Sequence, residues 1–134
     1  MTNRITLFFL FSAGIFSACG QPSASASETD QLTGECVAML DVTFACTQPD
    51  HEVSDADRAK CHDGAVAAVA APGCPEIAHE ELACLESFFA SYGQCAPAMP
   101  TNGQVYQDLY NYAAIHCPSL LSPRTAALHC PDFT

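Results

Sequence analysis

Positive charge is what this sequence has least of. Its 134 residues carry four Lys and Arg against fifteen Asp and Glu, a formal net charge of −11. Arg4 lies at the extreme N-terminus, so Arg58, Lys60 and Arg124 serve everything after it. A nucleic-acid surface needs several Lys or Arg contacts to phosphate, and that class of partner is excluded. The imbalance also disfavours acidic partners and favours solubility. Long apolar runs are missing as well. Ile5 to Phe16, ITLFFLFSAGIF, is shorter than the roughly 18–20 residues that cross a bilayer. No stretch alternates apolar and polar residues long enough for a strand.

Several chemical signatures are absent too. There is no CxxC or CxxCH, which removes thioredoxin-like redox chemistry, c-type haem attachment and zinc fingers. There is no G-x-S-x-G elbow. His79-Glu80-Glu81-Leu82 starts like a zinc-protease helix, but Ala83 stands where the second histidine is required. Asp50, His51, Glu52, Asp55 and Asp57 lack the glycine and closing glutamate of a calcium loop. No acid, base and nucleophile assemble locally. The expectation is therefore a non-enzyme with no catalytic residue, no metal site and no cofactor.

What is present starts with the leader. Arg4, the apolar run and the small residues Ser17 and Ala18 have the layout of a signal peptide over residues 1–18. Phe16-Ser17-Ala18-Cys19-Gly20 resembles the lipobox of bacterial lipoproteins, with Phe16 where leucine is usual. The resemblance implies cleavage before Cys19, lipidation of Cys19 (a diacylglycerol, with palmitate among its chains) and attachment to the membrane through that lipid. Gly20, where an aspartate would retain the protein at the inner membrane, implies the outer membrane. The alternative is an ordinary secretory signal cut after Ala24-Ser25-Ala26, releasing a soluble chain. Intact mass separates the two: a diacyl adduct on Cys19, or a chain starting at Ser27.

Of the nine cysteines, eight remain in either case: Cys36, Cys46, Cys61, Cys74, Cys84, Cys95, Cys117 and Cys130. An even set in a short exported chain is a disulfide framework. Residues 19–34, rich in Ser, Ala and Gly, are expected to be a lipid-anchor cysteine and flexible tether, and 35–134 a single cysteine-rich helical domain.

The fold class is all-α, a small disulfide-stapled bundle of about four to five helices. Leu32, Cys36, Leu40 and Phe44 place a first helix over about 30–46, ended at Pro49. Ser54 with Asp57 reads as a capping box opening a second over about 55–71, whose AVAAVAA run allows close approach of a neighbour. Pro75 opens a third, acidic in its early turns through Glu76, Glu80 and Glu81, with Ile77, Cys84, Leu85, Phe88, Phe89 and Tyr92 on a wide apolar face and Gly93 as its cap. Asn102 caps a fourth over about 103–116, with Tyr106, Leu109, Tyr110 and Ala113 on one side. Ser122-Pro123 starts a short fifth through about His129.

If the first two helices run antiparallel, nested pairing gives Cys46–Cys61 near the turn and Cys36–Cys74 at the far end. The reach is about 15 Å on one helix against about 19–20 Å on the other. This half resembles the helical hairpin of the twin-CX9C family. In the second half Cys84–Cys130 with Cys95–Cys117 stands beside Cys84–Cys117 with Cys95–Cys130. About 105 connectivities exist in principle, and sequence does not choose among them.

His62, His116 and His129 each adjoin a cysteine, so reduced thiols would make a soft-metal protein. Pro100-Thr101, Gly103, Tyr110, Tyr112-Ala113, Cys117 and Ser119-Leu120 resemble the C-terminal part of the elicitins, exported helical proteins with six cysteines rather than eight. That resemblance implies a sterol-like ligand, whereas the same aromatics could equally be plain core. The reading is a non-enzymatic, lipid-anchored envelope protein with a helical binding or structural domain and an unidentified protein or small-ligand partner. A carrier of a small apolar ligand is the alternative, and a soft-metal protein the second.

Overall fold

The computed structural model describes residues 24–133. The leader and Cys19 lie outside the described residues, as do the expectations attached to them. The fold is all-α: α1 (Ala24–Thr47), α2 (Asp55–Ala70), α3 (Cys74–Ser91), α4 (Asn102–His116), a 3-10 turn (Pro118–Leu121) and α5 (Pro123–Leu128). The described residues contain no strand.

Local punctuation places most of these boundaries. At α2 the Ser54 N–H donates to Asp57 Oδ2 (3.0 Å) and the Asp57 N–H donates to Ser54 Oγ (3.2 Å), completing the expected box. Pro75 sits in the first turn of α3 behind Gly73, whose φ of 80° is a left-handed conformation that glycine adopts without strain. Two caps differ from expectation. Thr101, not Asn102, caps α4 by accepting the Gln104 N–H. The α3 helix ends at Ser91 with Tyr92 extended, so Gly93 plays no left-handed capping role.

The largest departure is at the start of α1. The tether expected over 19–34 is helical from Ala24, and Leu32 is completely buried. The folded domain therefore begins well before residue 35. Polar composition misleads here because tertiary packing, not intrinsic preference, holds this part of the helix. Leu32, Cys36 and Met39 form one stripe against Ala65 and Ala68 of α2 and Ala78, Leu82 and Leu85 of α3. Small side chains on α2 permit the close approach that its sequence anticipates. The α1 helix packs along both neighbours, making α1–α2–α3 the main body.

A second tie holds the front of α1. His79 of α3 sits between two α1 carboxylates, with Nδ1 2.5 Å from Glu35 Oε2 and Nε2 2.7 Å from Glu28 Oε1. A neutral imidazole has one N–H to donate, whereas an imidazolium has two, so the arrangement fits the charged ring. Burial works against the charge, but the hydrogen bonds that His79 donates to Glu35 and Glu28 outweigh it and hold its pKa above the ordinary 6.5. A raised folded-state pKa stabilises fully below the unfolded value and ceases to do so as pH rises through the folded one. Thermal stability should therefore fall between mildly acidic and mildly alkaline pH, and His79→Gln should flatten that slope. An identical slope in wild type and variant would rule out the clamp as its source.

The disulfides differ from the favoured pattern. They are Cys36–Cys61, Cys46–Cys95, Cys74–Cys130 and Cys84–Cys117. The pairs Cys36–Cys74, Cys46–Cys61, Cys84–Cys130 and Cys95–Cys117 are not formed; Cys84–Cys117, the other option for the second half, is, without its companion Cys95–Cys130. Treating the halves as separate hairpins is what fails. The body places Cys61 of α2 opposite Cys36, midway along α1, with Cα atoms 5.6 Å apart. Cys46, at the far end of α1, meets the connector after α3, where the Ala96 N–H also donates to the Cys46 carbonyl (2.8 Å). Two of the four bridges thus join one half of the chain to the other.

Candidate functional site

Two apolar stripes that are visible in sequence meet incompletely. On α3, Ile77, Glu81, Cys84 and Leu85 follow helical spacing, and so do Tyr106, Leu109, Tyr110 and Ala113 on α4. The helices are fastened at two levels. Near one end Tyr92 Oη donates to Asp108 Oδ2 (2.8 Å), and the Phe88 ring contacts Tyr92 and Tyr112. Towards the C-terminus of α4 the Cys84–Cys117 bridge joins it to α3, within a small cluster that includes buried Ala113. Beside these anchors the two stripes enclose a groove of about 400 Å³. Leu120, Leu121, Thr125 and Ala126 of the 3-10 turn and α5 wall it, with His129, Cys130 and Asp132 from the tail. This volume lies within the usual range for small-molecule sites, about 300–1,000 Å³.

The tail wall is pinned at both ends. Cys130 is bridged to Cys74 at the start of α3. Phe133 packs on α2 at Gly64, where an added Cβ would lie 3.1 Å from the ring. Asp132 is held between these two attachments. His129, left-handed with φ 51°, ends α5 and turns the chain into the tail. Its Nδ1 is 2.9 Å from the Ala127 carbonyl.

The groove is apolar with an acidic edge. Glu81 belongs to the α3 stripe, flanked a turn away on each side by Ile77 and Leu85. It is half-buried, and burial first, then the charge of Asp132, raises its pKa above the ordinary carboxylate value. Among the described residues no Lys or Arg lines the groove. Two aromatic side chains are left wet: Tyr106 is 78 % exposed and Tyr110 56 %. The aromatics therefore divide, with Phe88 in the core and Tyr106 and Tyr110 at the groove.

The histidines considered as metal ligands are not brought together. His62 is exposed beside Asp63, His116 lies against Tyr112 with ring centroids 4.2 Å apart, and His129 is at the groove. All eight domain cysteines are in bridges, whereas the soft-metal reading requires free thiols. In the loop before α2 His51 meets the Phe44 ring edge-on, and in the first turn of α2 the Asp57 carboxylate accepts the N–H of the cap residue Ser54. Among the described residues no three His, Cys, Asp or Glu side chains form a group that could hold a metal ion.

Along the sequence Glu81 reads as a helix-dipole acid, and Asp132 and Thr125 carry no assigned role. For Glu81 a signal existed: it is a carboxylate on an apolar stripe. For Asp132 there was none, because its position depends on Cys130 and Phe133. Of the residues that carry the elicitin resemblance, Tyr110, Ala113 and Leu120 line the groove. No family model, no curated protein and no solved structure matches this chain.

Proposed function

We propose that this chain is an exported, non-enzymatic binding domain that holds one small, largely apolar ligand in the groove between α3 and α4, presented at a bacterial envelope through a lipid on Cys19. The groove itself carries the reading: its apolar residues are left open beside two covalently fastened walls, whereas the α1–α2–α3 body buries its own. An apolar concavity with a few convergent polar groups is the usual form of a small-ligand site. Four disulfides fit a non-cytoplasmic location. The lipid supplies the anchor and the bridges keep the site's walls in place, so the domain needs no reactive centre.

The test is titration with N-phenyl-1-naphthylamine, an uncharged apolar fluorophore. Saturable one-to-one binding is expected, with competition by decanol. Ala126 lines the groove from exposed α5, so Ala126→Trp should fill the space without disturbing the core and weaken binding at least tenfold. Absence of saturable binding, or full affinity in the tryptophan variant, would leave a purely structural module as the better description.

A further inference from the structure

We infer that the groove selects a cationic amphiphile, with an ammonium head at Glu81 and Asp132 and a hydrocarbon body against Leu85, Leu109 and Ala113. This rests on the proposed binding role and specifies the ligand's charge.

Charge complementarity between groove and head group favours this occupant. Glu81 and Asp132 both line the groove, the charge of Asp132 disfavours ionisation of Glu81, and among the described residues neither Lys nor Arg lines it to offset them. The remaining titratable lining groups are His129, Tyr106 and Tyr110. His129 has its Nδ1 engaged with the Ala127 carbonyl. What the site lacks is a cation, and a ligand's ammonium would supply it. Its N–H groups can donate to both carboxylates, and bonds between charged partners are the stronger kind. An anionic amphiphile would meet two carboxylates on a chain of net charge −11. A neutral one would leave their repulsion in place. The apolar body supplies affinity and the acidic edge sets which head group is accepted.

Three decyl probes at pH 7.5 test this on the intact, oxidised protein: decylammonium, decanol and decanoate, each displacing N-phenyl-1-naphthylamine. Decylammonium is expected to bind at least tenfold more tightly than decanol, and decanoate most weakly. Glu81→Gln/Asp132→Asn should erase the ammonium preference while keeping decanol affinity. General attraction to an acidic protein is controlled by Asp50→Asn/Glu52→Gln, which removes two charges from the exposed loop after α1 and should keep the preference. Equal affinity for the ammonium and the alcohol, or tighter decanoate binding, overturns the inference and leaves the groove as an apolar site. So does an equal loss in the loop variant. Failure of all three probes and the fluorophore removes the binding role itself.

Discussion

Reducing the four disulfides under otherwise native conditions should unfold this domain. The reason lies in how little large apolar material its core contains. Of the fifteen buried apolar residues among those described, six are half-cystines and four are alanines, leaving Leu32, Met39, Leu82, Leu85 and Phe88 as the bulky ones. Domains are stable by only about 5–15 kcal/mol in total. The bridges span sequence separations of 25, 49, 56 and 33 residues. At such loop lengths chain entropy assigns each about 3–4 kcal/mol, and although overlapping loops are not additive, losing all four exceeds any plausible reserve. Far-UV circular dichroism with and without a phosphine reductant should show loss of a cooperative helical melt. A reduced chain that melts within a few degrees of the oxidised one would refute this. Among single bridges, Cys36→Ala/Cys61→Ala should cost more than Cys46→Ala/Cys95→Ala. Both members of the first pair are buried in the α1–α2 seam, while Cys95 is half-exposed.

Leu32→Ala should cost about 3 kcal/mol, within the 2–5 kcal/mol range for truncating a fully buried leucine. The melting temperature should drop by on the order of 10 °C. The residue has no exposed surface and touches the cluster shared by α1, α2 and α3. If residues up to 34 were a free tether, the substitution would change nothing, and thermal melts of the two proteins would superimpose. Gly34→Ala is the matching contrast. No atom lies within 4 Å of a Cβ added there, so alanine should leave stability unchanged or raise it by up to about 1 kcal/mol through helix propensity. Together the two variants place the start of the folded domain from opposite directions.

The Glu28–His79–Glu35 clamp joins residues 51 and 44 positions apart, and each of those glutamates looks like one more surface acid when read along the chain. The stripes on α3 and α4 were legible, including Glu81 within the first. Their failure to close on each other was not, because it depends on where Tyr92–Asp108 and Cys84–Cys117 fasten them.

The sequence by itself determined the helical class, the stop at Pro49, the starts at Pro75 and Pro123, the Ser54 box and the assignment of the cysteines to a covalent framework. The boundaries are settled within a turn or two of chain, by a missing N–H, a fixed φ or a capping oxygen, and the framework by an even count of thiols. Only the tertiary structure decided which sulfurs join, that the first helix reaches back to Ala24, and that an acidic edge borders an open apolar groove. Those depend on which helix α3 leans against. That choice is made by surfaces distant in sequence coming into contact, and no local pattern of residues records it.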